Sequence, residues 1–419
     1  MHTVVIGGGV VGVTTAYYLA AQGHSVTVLE QRAELGQDAT GGNAGLIAPS
    51  HSFAWASPQA PRMLVRSLRG ERTAIRVKPT LSPRFLGWGL QFLRECTPGR
   101  ARANTLAKLA LCQYSQREMY RLVDEEGVDY DEDRRGALYL YRDNAQLDLG
   151  LRKMRLLADH GQEIEALTAE QVARMDPAFA GATGIIKGAI YGKTDGTGNS
   201  EKFSANLATV CEKLGVEFHT GVTARGLVQH HGRITGLETD KDFYRGDNYV
   251  ICTGVGSPFL SRTVGQRLPV YPAKGYSLTV DIADETAAPT YGGVDEATLV
   301  AWSRMGSRLR MSSTAEFGGY SRQFTPEDFS NIFAMARELF PAAADWETAR
   351  MRSCLRPMTP DGPPIIGRGH RHDNLYYNTG HGHMGWTMAC GSSRALADLM
   401  AGRQPAVDVA PFAVRAFRR

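Results

Sequence analysis

The sequence predicts an α/β fold whose first unit is a Rossmann-like βαβ element. Three observations carry this. Residues 4–6 are an apolar strand that runs into Gly7-Gly8-Gly9-Val10-Val11-Gly12, a Gly-x-Gly-x-x-Gly turn. A helix over 10–22, a stop at Gly23 and a second strand over 26–29 ending at Glu30 follow in register. Far downstream, 249–254 is another apolar run closing on glycine, read as a further sheet strand whose carboxyl end meets the same site. Each residue of the turn has its own task. Gly7 allows the tight bend, Gly9 lets a pyrophosphate approach the backbone, and Gly12 lets the helix lie close on the strand. The amides at Val10 and Val11 begin a helix whose partial positive charge suits phosphate. Glu30, with Gln31 beside it, can accept hydrogen bonds from a ribose diol, and its charge would repel a 2′-phosphate.

Composition bounds the rest. A length of 419 residues suits two or three domains. The net charge of +4 is mild for that length and argues against a nucleic-acid partner. Six scattered cysteines without a C-x-x-C pair point to reduced thiols, a reducing compartment and a cytoplasmic protein. The apolar N-terminus lacks a basic leader and carries the nucleotide fingerprint, so it is not read as a signal peptide. No apolar run reaches about 18 residues, the length a spanning helix needs.

Taken in order, 37–49 is a small-residue loop without helical or strand period. Its glycines let the backbone lie against a flat ligand, and Leu46 and Ile47 argue for burial at its end. Residues 51 to about 135 read as helical and irregular, with a secure helix over 103–126. Arg62, Arg66, Arg69, Arg72, Arg76, Lys78 and Arg84 crowd one part of it, followed by Phe85, Trp88 and Phe92 at helical spacing. A solvated basic face beside core aromatics is the preferred reading; contact with an anionic membrane surface is the alternative. Next come a strand over 136–141, helices over 144–160 and 168–174, and a strand over 189–191. A turn cluster over 194–199 leads to a helix over 203–214, capped by Asn199 or Ser200. Strands over 216–219, 222–229, 234–239 and 243–244 precede the one at 249–254. Strands over 276–281, 298–303 and 309–313, a helix over 328–339 and strands over 364–367 and 375–378 complete the middle. Gly380-His381-Gly382-His383-Met384-Gly385-Trp386-Thr387 opens a last helix to about residue 400, small along Ala389, Gly391, Ser392 and Ala395 and so able to pack closely.

Four blocks together resemble one family. They are the N-terminal fingerprint, Gly42-Asn43-Ala44-Gly45-Leu46-Ile47, the run from Leu355-Arg356-Pro357 to Pro364, and Asn378 to Thr387. The chain resembles the FAD-dependent D-amino-acid dehydrogenases, within the group of D-amino-acid oxidase, glycine oxidase and sarcosine oxidase. The resemblance implies a discontinuous FAD domain of the glutathione-reductase type over 1–50, 195–262 and 345–419. It implies an α+β substrate domain with a mixed sheet over 51–194 and 263–344. Thr40, Gly42, Asn43, Ala44, Gly45, Leu46 and Ile47 would run along the flavin, and Val222 would pack by the adenine. Thr253 and Gly254 would sit near the pyrophosphate. Gly380, Gly382, His383, Met384, Gly385, Trp386 and Thr387 would bring a helix N-terminus to the flavin pyrimidine, where partial positive charge stabilises the reduced ring.

On the same resemblance Arg356 would pair the carboxylate of an amino acid, since guanidinium matches carboxylate bidentately. His51, His383 and Tyr276 are further candidates for the pocket, each with a structural role as its alternative. The implied activity is hydride transfer from the substrate Cα to flavin N5, giving an imine and then a 2-oxo acid. N-substituted or cyclic amino acids are alternative substrates. Sarcosine oxidases use a lysine near N5 to activate oxygen. The strand over 308–311 offers arginines instead, so a quinone fits better than O2 as acceptor. A nicotinamide-dependent dehydrogenase and a non-catalytic flavoprotein are the rivals. No second glycine fingerprint is present to hold NAD beside FAD.

Overall fold

The structure is a computed structural model that describes residues 1–68, 75–78, 80 and 82–414. Of the basic stretch, Arg69, Arg72 and the Arg66 side chain lie outside the described residues.

His2–Ile6 is central in a six-stranded sheet, between Asn248–Ile251 and Ser25–Glu30. Glu217–Thr220 extends one side, and Leu375–Thr379 the other, all in parallel; Ile365–Arg368 closes that second edge in antiparallel sense. Alternation along the first strand decides what covers each face. Val5, with Val28 and Val250, packs under the helices Val10–Ala20, Ser200–Lys213 and Gly385–Met400. Val4 and Ile6 face Leu227, Ile234 and Leu237 of the meander Ala224–His230, Arg233–Thr239 and Phe243–Tyr244. This is the period-2 logic of a sheet buried on both sides.

The second sheet is larger and mixed. Its order is Arg350–Met358, Tyr271–Asp281, Arg308–Phe317, Val300–Met305, Gly292–Asp295, Ala137–Tyr141, Gly188–Gly192 and Ile164–Thr168, with Ile75–Val77 paired to Arg308–Phe317. Ile332, Met335 and Leu339 of helix Ser330–Leu339 cover one face through Leu278, Trp302 and Met311. Part of the other face faces a cavity that also borders the first sheet.

Several elements differ from the sequence reading. The Leu355-Arg356-Pro357 run lies in a nine-residue strand, Arg350–Met358, which pairs with Tyr271–Asp281. The resemblance implies that this segment belongs with 345–419 in the FAD domain; its pairing places it in the second sheet. Leu46–Ile47 is a short strand against Gly196–Thr197, not open loop. Asn199 is the cap of the helix that follows it, its side chain accepting from the Lys202 amide at 3.2 Å. Pro98–Glu126 starts five residues before the predicted helix, with Pro at its first turn, and ends where Gly127 takes φ +67°.

Of the basic stretch, Arg76 pairs with Asp328 at 3.2 Å, Lys78 with Glu316 at 3.0 Å, and Arg84 stacks on Phe259 at 4.2 Å. Trp88 and Phe92 are buried with Tyr271 and Phe317, and the Trp88 indole donates to the Met358 carbonyl at 3.0 Å. Among the described residues, all six cysteines are free and no helix is long and apolar enough to cross a membrane.

Candidate active site

The first strand delivers its glycine turn to one end of the cavity. Gly7 sits at φ +111°, and a Cβ there would lie 2.7 Å from the Cys252 carbonyl oxygen. A Cβ on Gly12 would lie 1.8 Å from the Gly7 oxygen, so only glycine lets the helix sit this close. Gly9 is open apart from Thr40, whose hydroxyl is 3.3 Å from where a Cβ would be and accepts from the Val10 amide at 3.0 Å. Helix Val10–Ala20 has no side-chain cap at Gly9, so beyond the Val10 amide taken by Thr40 the next amides, of Val11 and Gly12, are left for an anion.

Glu30 accepts from the Gly8 amide at 2.6 Å and from the Arg32 amide at 2.7 Å. Burial raises its pKa while those two amides oppose the rise. Each carboxylate oxygen keeps acceptor capacity beyond these bonds. Gln31 and Val222 line the same end, and the Val222 amide donates to the Glu30 carbonyl at 2.9 Å. Thr253 and Gly254 border it from the turn after Asn248–Ile251.

The loop from Thr40 to Ile47 crosses between the two sheets and is held from three sides. Arg310, buried in the larger sheet, donates to the Gly41 carbonyl, and Ser303 to the Ala44 carbonyl at 2.6 Å. Asn43 accepts from the Gly45 amide at 2.7 Å. The Thr387 hydroxyl contacts the Leu46 carbonyl at 3.3 Å and the Ala48 amide at 3.2 Å. Gly42 is pressed on Cys354, and Gly45, at φ +87°, on Ser303 and Met305. Gly42, Asn43, Ala44 and Leu46 line the cavity; Gly45 and Ile47 support it from behind.

At the opposite wall, Gly380 and Gly382 take φ +80° and +60° and feed the turn Gly382–Met384 into helix Gly385–Met400, which has no side-chain cap. Gly385 and Thr387 therefore bring uncapped helix amides to the cavity, while the Met384 amide donates to the His381 carbonyl at 3.2 Å. Trp386 borders it too, while its ring packs edge-on against Phe203 at 4.9 Å.

Arg356 lines the cavity from Arg350–Met358. Its guanidinium lies flat on Gly275, where a Cβ would be 2.5 Å from Nη2, and Nη2 donates to the Ser312 hydroxyl at 3.1 Å. Burial lowers its pKa, yet so basic a group keeps its charge. His51 stacks on Tyr139 at 5.9 Å and meets His383 edge-on at 5.8 Å; His383 stacks on Trp55 at 4.7 Å. Burial, with Lys153 and Lys108 adding to it, pulls His51 down to about 4. Burial pulls His383 far down as well, and its buried Nε2 has no partner among the described residues. Both imidazoles are neutral at pH 7.

Tyr276 is the correction. It is fully buried in the core of the larger sheet, and its hydroxyl donates to Glu316 at 3.0 Å, which also pairs with Lys274 at 3.1 Å. It points to the sheet face away from the cavity. Strand alternation could have raised this, but which face is inner is decided by the partner strands. Sequence reasoning missed Phe53 and Trp55 of the loop after Pro49–His51, Ser312 of Arg308–Phe317 and Lys153 of Asn144–Ala158, three segments that no common motif joins.

The cavity measures about 1450 Å³. That exceeds the few hundred to about 1,000 Å³ of an ordinary small-ligand pocket. It runs from a glycine cradle and ribose acid, along the loop, to a second helix N-terminus beside a buried guanidinium. These features fit an extended dinucleotide with a flat ring and leave room for a small anionic ligand.

The chain matches the FAD dependent oxidoreductase family over residues 2–399. It is 45% identical over 409 residues to D-amino acid dehydrogenase 2 of Mesorhizobium japonicum, covering 97% of this chain and 98% of that protein. It is 41% identical over 408 residues to a D-amino acid dehydrogenase of Methylobacterium nodulans, covering 97% of each. Its fold is similar to glycine oxidase from Geobacillus kaustophilus, with a TM-score of 0.75 at 22% identity, covering 100% of this chain and 99% of that one. L-Proline dehydrogenase from P. horikoshii gives a TM-score of 0.74 at 18% identity, covering 99% of this chain and 96% of that one. Sequence match over nearly the whole length, joined to a cavity of this shape, makes the chain a member of the FAD-dependent oxidoreductase family.

Proposed function

We propose that this protein is an FAD-dependent dehydrogenase that oxidises the C–N bond of a D-amino acid to an imine, which water converts to a 2-oxo acid and ammonia. N-substituted and cyclic amino acids are the alternative substrates. The observation that carries the reading is Arg356, a buried guanidinium in the wall of the cavity that holds the nucleotide cradle. The names of the relatives at 45% and 41% identity support the D-amino acid as donor. FAD, when bound, supplies the two-electron acceptor for the hydride.

The chain's own residues bind, orient and exclude water. Arg356 takes the carboxylate in a two-point pair, and Ser312 with the flat support of Gly275 limits its rotation. Neutral His51 and His383 add no positive charge that would repel a substrate ammonium. They are also too weakly basic to store its proton at pH 7. The amine therefore gives its proton to water on entry, and the packed rings of Trp55, His383 and His51 keep bulk water off the carbon that reacts. The uncapped amides of helix Gly385–Met400 favour negative charge that grows beside them.

A quinone is the acceptor we favour over O2. Leu86, Leu90 and Leu93 border the same cavity and are 54%, 54% and 48% exposed along one side of helix Pro83–Glu95. An apolar rim leading into the site suits a lipid-soluble acceptor. Arg84 and Arg94 beside it suit peripheral contact with an anionic membrane face. The deciding experiment is anaerobic: D-amino acids, N-methyl amino acids and prolines are added to the FAD-loaded protein while flavin absorbance is followed. Bleaching with a D-amino acid is expected. Protein that stays colourless after FAD is added, or yellow protein that no amine bleaches, would overturn the reading.

A further inference from the structure

The cavity continues past Arg356 along the larger sheet. Ser312 pairs with Ala301, Ala301 with Val294, and Val294 with Tyr139, so these four side chains share one sheet face. Ser312, Ala301 and Val294 all border the cavity. Three adjacent strands span about 10 Å, so this floor reaches roughly that far from the serine that steadies Arg356. The floor is small and apolar. Its far end is charged: Glu296 stands two residues beyond Val294, and Lys153 comes from helix Asn144–Ala158.

These two groups are held apart. The Lys153 ammonium sits 4.1 Å over the Phe53 ring, and no ion pair joins it to Glu296. Each feels the other's charge, and neither side chain has a hydrogen bond to another described residue. Burial raises the Glu296 pKa and lowers that of Lys153. The turn that carries Glu296 holds Leu299 at φ +52°, a backbone state a leucine rarely adopts, with Leu299 also on the cavity wall.

We infer that this arm is the substrate's side-chain pocket and that Lys153 and Glu296 select a side chain ending in a carboxamide. The inference rests on Arg356 holding the substrate carboxylate. With that end fixed, an extended side chain of roughly four or five heavy atoms lies over Ala301 and Val294 and brings its tip to the charged pair. A carboxamide accepts from the ammonium through its oxygen and donates to the carboxylate through its NH2. A carboxylate tip would be repelled by Glu296, an ammonium tip by Lys153, and a hydrocarbon tip leaves both without a partner.

The test compares kcat/KM of the FAD-loaded enzyme, with a quinone analogue as acceptor, for D-glutamine and for its hydrocarbon isostere D-2-amino-5-methylhexanoate. D-Glutamate, D-lysine and D-alanine are run beside them. D-Glutamine is expected to exceed the isostere by tenfold or more, and to exceed D-glutamate and D-lysine. Lys153→Met and Glu296→Leu should each lower the glutamine-to-isostere ratio at least fivefold. Because both rates come from one preparation, loss of folded enzyme cancels from the ratio. An isostere turned over as well as D-glutamine, or a ratio that neither substitution moves, overturns the pocket while D-alanine turnover leaves the dehydrogenase standing. No turnover with any amino acid overturns both.

Discussion

Arg356 and Asp195 show how one side chain's surroundings decide its use. Arg356 has a flat glycine beneath it and a serine at one nitrogen, and it lines the cavity wall. A hydrogen bond to a charged group contributes about 1.5–3 kcal/mol. Arg356→Leu should therefore raise KM for carboxylate substrates about 10- to 100-fold. Steady-state kinetics with D-alanine check this, and an unchanged KM would remove Arg356 from the carboxylate's path. Asp195 is buried, accepting from the Tyr139 hydroxyl at 2.7 Å and the Ser50 amide at 3.1 Å. Burial pushes it up to about 7 from its ordinary 3.8. A carboxyl whose folded pKa is raised contributes stability that is complete below the unfolded value and lost as pH rises through the folded one. Here the window is about pH 4 to 7, and the full swing is on the order of 4 kcal/mol. Asp195→Asn has no such proton to lose. Its melting temperature relative to the parent should climb between pH 5 and pH 8; a constant difference would show that Asp195 does not titrate there.

At the scale of elements, the last helix is the piece on which the site depends. Gly391 lets it meet helix Pro98–Glu126: its amide donates to the Ser115 hydroxyl at 2.9 Å, and a Cβ there would lie 2.7 Å from the Ser115 Cα. On its other side, Ser393 meets Thr14 at 2.8 Å and Thr15 at 3.0 Å on the nucleotide helix. Backbone cannot give way as a flexible side chain can, so Gly391→Ala should cost about 1–3 kcal/mol. A fall in melting temperature together with weaker FAD retention is expected, because the same helix carries Gly385 and Thr387 to the cavity. An unaltered melting temperature would show that the two helices are less tightly apposed. The small side of this helix was legible as Ala389, Gly391, Ser392 and Ala395. What it packs against was not, because Ser115 lies 276 positions away.

For the molecule as a whole, two sheets share one cavity, and its apolar rim is the feature that reaches outward. Replacing Leu86 and Leu90 together by Asp puts two charges on an exposed face and leaves the buried Trp88 and Phe92 side alone. The double variant should lose co-sedimentation with anionic lipid vesicles and keep turnover with a water-soluble acceptor dye. Equal sedimentation of parent and variant would exclude this rim as the contact.

The sequence by itself determined the parts whose physics is local. A strand, a glycine turn and a helix start lie within a dozen residues, and Gly12 is required by the Gly7 carbonyl of the same turn. Glu30 was legible for the same reason, as the end of the next strand in register. The tertiary structure decided what depends on long-range pairing. It set Arg350–Met358 beside Tyr271–Asp281, which lays Arg356 on Gly275 and turns Tyr276 into the core. A shift of one residue in that pairing would reverse which of these side chains faces the cavity, and no local pattern in either strand fixes the register. Lys153 and Glu296 likewise border one cavity only because a helix and a turn more than a hundred residues apart line the same space.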